Sequence, residues 1–297
     1  MPRALAFILL MACGPAALAA DPEPFDQSGI PIEQLPTDPK LAKIVLIAGP
    51  AATKLKSGEH EYFAGCAVLM KMLQQSPGVF PVLARDGWPT KPETLAGAKA
   101  VVLFVEGGDV HEALKRDRVA ELQKLVDAGV GIIHLHSSID YPNDLGDRVR
   151  GWSGAAWEKG FGQRAHWVAE FNAFPDHPIC RGVTPFQIDD GWLYKLRFAA
   201  EMKGVTPLLH TVNPKAKEKT PDTEATVSWA FERSGGGRSF AFTGCHLHES
   251  LVKEGYRKFL VNGILWSAGQ EIPKGGAPVK LDPGELSRYL DRKPAKK

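Results

Sequence analysis

Between residues 42 and 136, short apolar runs alternate with segments of helical periodicity. This alternation constrains the fold more than any other feature of the chain. Ile44, Val45, Leu46 and Ile47 form one run, closed by Gly49 and Pro50. Residues 80–84, 101–105 and 131–136 supply three more. Residues 61–75 carry Phe63, Cys66, Ala67, Met70 and Leu73 at helical spacing, and residues 118–128 form an amphipathic helix ended by Gly129. A strand that is apolar on both faces is buried on both, as in a parallel sheet covered by helices. The expectation is a doubly wound α/β fold over 41–270, with the runs at 43–49, 100–105 and 131–136 as neighbours in one sheet.

The pattern weakens over 140–225, where Trp, Gly and Pro accumulate around a few short strands (166–171 and 207–211). It resumes with strands at 225–232 and 238–243, joined as a hairpin through Ser234–Gly235–Gly236–Gly237, and a closing helix at 255–268. Residues 20–40 are rich in Pro and read as an extended arm. Residues 271–297 read as a Pro/Lys-rich tail with one short helix at 283–290. Its basic residues Arg292, Lys293, Lys296 and Lys297 are expected to be solvated.

The first nineteen residues read as a secretory signal, with Arg3 before a short apolar run and Ala17-Leu18-Ala19 at the cleavage positions. Leu10-Met11-Ala12-Cys13 loosely resembles a lipoprotein signal, which is the alternative. Either reading exports the protein, with the bacterial periplasm as its expected location. No segment is long enough to span a membrane. Lys and Arg total 36 against 34 Asp and Glu, and no basic stripe is interleaved with aromatics, so a nucleic-acid partner is not expected. Signal cleavage leaves Cys66, Cys180 and Cys245 with no CxxC spacing, so the fold relies on its core and not on a disulfide framework.

Six of the nine histidines follow apolar runs: His60, His111, His134, His136, His246 and His248. The carboxyl ends of parallel strands share one edge, where α/β sheets form their ligand crevice. His60, His136 and His246, each after a different strand, are expected around one pocket there. They are candidate metal ligands or acid–base groups. His134, earlier in its strand, is expected to pack inside the sheet. Glu106, Asp109 and His111 follow the third run through Gly107 and Gly108 and are candidates to face a ligand. No GxGxxG or Walker spacing is present, so no nucleotide cofactor is expected. Ser57 and Glu61 read as helix-start residues. Trp152, Trp157, Trp167 and Trp192 offer indole faces suited to sugar rings, with loop packing as the alternative. Cys245 beside His246 is a candidate thiol nucleophile without the sharp-turn context, and the absence of GxSxG excludes an α/β-hydrolase.

Leu46-Ile47-Ala48-Gly49-Pro50, Gly58-Glu59-His60-Glu61-Tyr62, Gly107-Gly108-Asp109-Val110-His111 and residues 129–137 resemble the ThuA-like (trehalose-utilisation) family. So do His177-Pro178-Ile179-Cys180-Arg181-Gly182, Val227-Ser228-Trp229, and residues 242–246 followed by 259–269. The resemblance implies a flavodoxin-like sheet with helices on both faces, of the class I glutamine amidotransferase type, and a link to carbohydrate catabolism. His60, His136, His166 and His246 match family positions. Two departures stand out. Leu135-His136-Ser137 lacks the amidotransferase cysteine, which argues against glutamine hydrolysis. Gly191 in Asp189-Asp190-Gly191-Trp192 replaces a Glu frequent in relatives.

The expectation is thus an exported enzyme acting on a disaccharide, glycoside or keto-sugar derivative, with a divalent metal such as Zn²⁺ as candidate cofactor. His60, His136, His246, Asp109 and Asp190 are its candidate catalytic residues. Glu106, His111, Trp152, His166 and Trp192 are its candidate substrate contacts. A non-catalytic carbohydrate-binding protein is the alternative, and it would account for both the Trp content and Gly191.

Overall fold

The computed structural model describes residues 25–216, 225–282 and 284–293. The signal segment lies outside the described residues. A seven-stranded sheet runs in the order β2 (Val79–Ala84), β1 (Ala42–Ala48), β3 (Ala100–Phe104), β4 (Gly131–Leu135), β11 (Arg238–Phe242), β10 (Thr226–Glu232), β9 (Val205–His210). The ladder from β2 to β11 is parallel throughout, and β10 is antiparallel to both its neighbours. The three runs expected to be neighbours are β1, β3 and β4. The expected hairpin is β10–β11.

Alternation along β1 explains why its run is unbroken. Ile44, Leu46 and Ala48 join one core, and Val45 and Ile47 join the other. The first core is covered by α1 (Tyr62–Leu73) and α5 (Glu254–Ser267). The second is covered by α3 (Arg118–Asp127) and α4 (Gly146–Ser153), while α2 (Pro92–Leu95) is a single turn in the β2–β3 crossover. Helices therefore lie on both faces of a mostly parallel sheet.

The less regular region contains more strand than its sequence suggests. β6 (Gln163–Phe171) and β7 (Phe186–Tyr194) pair antiparallel over nine residues and form a separate ribbon. Its inner face, with Trp167, Phe171, Ile188 and Trp192, packs into the first core. β5 (Ala155–Ala156) and β8 (Arg197–Phe198) form a minor ladder beside it.

The two ends of the described chain clasp each other. Gln27 donates to the Tyr289 carbonyl and the Asp291 carboxylate. Glu33 in the amino-terminal arm accepts from the Thr90 and Lys91 amides. The short helix α6 (Glu285–Arg288) ion-pairs with α1 through Lys71 and Glu285. Beyond it, Lys293 is not solvated: its ammonium lies 3.0 Å from Glu61, with both side chains fully buried. This corrects the solvated-tail expectation for Lys293. Glu61 does stand at the start of α1, as its N-cap residue, but its carboxylate makes no capping bond and instead accepts from the Gly58 and Asp291 amides. Among the described residues, no helix is long and apolar enough to cross a membrane.

Candidate functional site: a three-histidine centre

Four carboxyl-terminal strand ends build the site. The loop after β1 delivers His60 just ahead of α1, Glu106 follows β3, His136 follows β4, and His246 follows β11. Backbone bonds tie these loops together. The His60 amide donates to the His246 carbonyl at 3.0 Å, and the His248 amide donates to the Gly58 carbonyl at 2.8 Å. His60, His136 and Cys245 all hold positive φ, at 48°, 55° and 77°. Non-glycine residues enter that region at a cost of about 1–3 kcal/mol, and such residues gather at functional sites. Gly107 has a different task. A Cβ there would lie 2.2 Å from the Ser137 carbonyl oxygen, so only glycine lets the β3 loop pass close to the β4 loop.

His60, His136 and His246 converge so that one ring nitrogen from each lies within 4.8 Å of the others. His136 Nε2 is 3.1 Å from His60 Nε2 and 3.3 Å from His246 Nδ1. The outer nitrogens of His60 and His136 are already committed. His136 Nδ1 lies 3.0 Å from the Thr243 carbonyl, which can only accept, so Nδ1 carries the proton. His60 Nδ1 lies 3.0 Å from the Glu106 carboxylate and 2.6 Å from the Tyr62 hydroxyl, which itself donates to Glu106. The Glu106 bond places the proton on His60 Nδ1 as well. In the neutral rings both Nε2 atoms then present lone pairs to each other. Two lone pairs at this distance make no hydrogen bond, so the pair is satisfied only with a proton or another cation between them.

The surroundings favour the neutral form of His136 and His246, the form in which an imidazole offers a lone pair. Burial, reinforced by its two histidine neighbours, pushes His136 well below the ordinary imidazole range. Burial and the neighbouring His60 and His166 push His246 down to about 4. Burial alone would raise Glu106, but the His60 and Tyr62 bonds outweigh it and hold the carboxyl at about 2. The two separations from His136 Nε2 also match the ligand spacing of a metal. Tetrahedral zinc with bonds of about 2.0–2.1 Å puts its ligand atoms roughly 3.3 Å apart.

A cleft of about 190 Å³ opens onto the three imidazoles and is lined by Ser137, Arg164, His166, Gly191 and Trp192. The ribbon supplies four of these. His166 is exposed and packs edge-on to His246 with ring centroids 4.5 Å apart. Arg164, two residues earlier on the same face, ion-pairs with Asp140 and stacks over Trp157. Trp192 is a wall residue, 1% exposed, whose indole donates to the Trp167 carbonyl.

Other expected site residues lie elsewhere. Asp190 is fully buried and does not line the cleft. Its carboxylate accepts the amides of Gly191, Cys245, His246 and Leu247, which places it as an anchor for the His246 loop and away from the cleft. Burial pushes it up to about 7 against the pull of those four amides. Asp109 is exposed on a 3₁₀ turn outside the cleft lining. His111 is fully buried, bonded to the Ser138 carbonyl and accepting the Ala113 amide, and cannot contact a substrate in the cleft. Trp152 packs in the second core with its carbonyl on Arg233 and Ser239, near the start of β11 and far from the carboxyl edge. His134 sits inside the sheet between Tyr141 and Ser153. Cys245 is buried against the Tyr256 hydroxyl, outside the cleft lining, and burial pushes its thiol well above the usual range.

Sequence reasoning missed Tyr62, Arg164 and Ser137. A period-two reading from His166 would have found Arg164, since residues two apart share a strand face.

The residues 52–267 match the model of the ThuA family, described as trehalose utilisation, and that description supports a carbohydrate-related role. Among solved structures, a ThuA-like protein from Parabacteroides merdae is similar at 14% identity and a TM-score of 0.55, covering 84% of this chain and 99% of that one. A ThuA-like protein from Bacteroides uniformis is similar at 13% identity and a TM-score of 0.54, covering 83% and 98%. A glutamine amidotransferase from Thermotoga maritima matches at 10% identity and a TM-score of 0.40 over 76% of this chain and 96% of that one. No curated protein gives a significant match. The family model spans well over half of the sequence, and the chain belongs to the ThuA, trehalose utilisation, family.

Proposed function

We propose that this protein is an exported, metal-dependent enzyme that processes a disaccharide, glycoside or keto-sugar derivative. The observation that carries the reading is the pair of facing Nε2 atoms of His60 and His136, 3.1 Å apart, each with its Nδ1 bonded to a carboxylate or carbonyl. Metal-bound histidines are typically oriented in this way by an outer acceptor. His60, His136 and His246 would hold one divalent ion, with Zn²⁺ or a similar imidazole-preferring metal as the best match to the donors. Such an ion, when bound, polarises a carbonyl or lowers the pKa of water.

The chain's own residues supply the rest. Glu106 and Tyr62 fix the His60 tautomer. His166 and Arg164 stand over the centre on the ribbon, where they can bind hydroxyl or carbonyl oxygens of a sugar. Gly191 leaves the floor of the cleft open. Export rests on residues 1–19 alone, and the periplasm would be the site of action.

The non-catalytic binding reading depends on exposed indole platforms. Trp152, Trp167 and Trp192 are 1%, 6% and 1% exposed and offer none, and the half-buried Trp157 already carries Arg164 over its ring. A screen of disaccharides, glycosides and their keto derivatives against metal-loaded and chelator-stripped protein tests the proposal. Turnover that appears only with metal supports it. Turnover indifferent to chelation removes the metal, and tight sugar binding with no turnover under any loading favours the binder.

A further inference from the structure

We propose that Lys293 is a positioning residue for the three-histidine centre: the chain from α6 onward straps the His60 loop into its active geometry through a buried Lys293–Glu61 ion pair. The observations converge on three residues flanking His60. The Lys293 ammonium lies 3.0 Å from Glu61 Oε1, with both side chains 0% exposed, and also donates to the Glu59 carbonyl. Glu61 Oε1 accepts the Gly58 amide at 2.8 Å, and Glu61 Oε2 accepts the Asp291 amide at 2.8 Å. Residues 58, 59 and 61 are thus all held by one ion pair. Between them His60 keeps φ at 48° and donates its amide to His246.

A clip needed only for stability has a simpler solution. Buried ion pairs are commonly no more stabilising than well-packed apolar residues of similar volume. What this pair adds is direction, because both Glu61 oxygens and the Lys293 ammonium bond to the backbone of the loop or the strap. The loop it fixes runs beside residues 246–248, with Glu59 bridged to Leu247 and Gly58 bonded to His248. Two of the three imidazoles are therefore set by a contact made about 230 residues further along the chain. Left-handed φ at a non-glycine persists only where the surroundings over-determine it, and the strap supplies that constraint.

The inference uses the three-histidine reading for its consequence but not for its test. Hydrogen exchange is measured on metal-free full-length protein, on Lys293→Met, and on a chain ending at Leu290. Amides of 58–61 and 246–248 are expected to exchange at least about tenfold faster in both variants, with β1, β3 and β4 unchanged. Zn²⁺ affinity, titrated in parallel, is expected to fall roughly 10–100-fold, the usual effect of losing an orienting contact. If the shortened chain does not fold, Lys293→Met carries the test alone. Unchanged exchange at 58–61 in a folded variant overturns the strap, and so does uniform loss of protection across the sheet. A wild-type protein that binds no Zn²⁺ removes the metal reading and leaves the exchange result to judge the strap.

Discussion

The Asp190 carboxylate on ribbon strand β7 accepts the backbone amide of His246 at 2.9 Å, so the ribbon and the loop after β11 share one anchor. The same carboxylate takes the Cys245 amide at 3.0 Å and the Leu247 amide at 3.1 Å. Asp190→Ala would leave those donors buried and unpaired. The expected loss is on the order of 3 kcal/mol in urea unfolding, with Asp190→Asn milder because it keeps one acceptor oxygen. A change below about 0.5 kcal/mol, the range of ordinary surface substitutions, would show that Asp190 does not organise this loop.

Gly191 tests the cleft sterically. It sits opposite His166 in the ribbon register, inside a nine-residue strand where glycine is unfavourable. A Cβ there would lie 2.9 Å from His246 Cγ and 3.0 Å from His166 Nε2. Asp190 holds both the Gly191 amide and the His246 loop, so the backbone has little room to retreat. Gly191→Ala is expected to weaken metal binding roughly tenfold, as mispositioned ligands do, while leaving the thermal midpoint within a few degrees. Calorimetric metal titration beside a thermal melt checks this. Undiminished affinity would mean that the histidines yield without consequence.

His111 gives a pH dependence of stability. Burial, only partly offset by the Ser138 carbonyl bond, lowers its pKa from 6.5 to about 4 in the folded state. The unfolded chain therefore binds a proton that the folded chain refuses as pH falls through 6.5. This contribution is fully present above pH 6.5 and is lost progressively toward pH 4, roughly 3 kcal/mol in all. His111→Gln should show a shallower loss of stability over that window than the wild type in urea titrations from pH 7.5 to 4.5. Parallel slopes would show that His111 is not the buried neutral ring described above.

What the sequence makes legible follows from the range of the interactions. Strands β1, β3 and β4 declare themselves because burial on both faces demands unbroken apolar runs. The meeting of His60, His136 and His246 follows from strand direction alone. The ribbon is only half legible. Its outer face is polar at Arg164, His166 and Glu170, so β6 reads as a short strand and β7 is not recognised. Trp152 and Trp192 look like sugar platforms by composition, yet tertiary packing buries both. Asp190 looks catalytic in an acidic pair, but backbone amides from a loop 55 residues later consume its oxygens. Lys293 shows no local signal at all, because its partner Glu61 lies at the other end of the chain.

The central claim is that three imidazoles form a metal centre, and metal content tests it most directly. Full-length protein and His136→Ala are purified without chelators and analysed by inductively coupled plasma mass spectrometry. Circular dichroism of both checks that the fold survives. The account predicts about one divalent ion per wild-type chain, because three histidines with one open position make a single site. It predicts loss of that ion in His136→Ala with an unchanged spectrum. A wild-type protein that is metal-free and takes up no Zn²⁺, Co²⁺ or Mn²⁺ on titration would contradict it, as would a His136→Ala variant that keeps its metal.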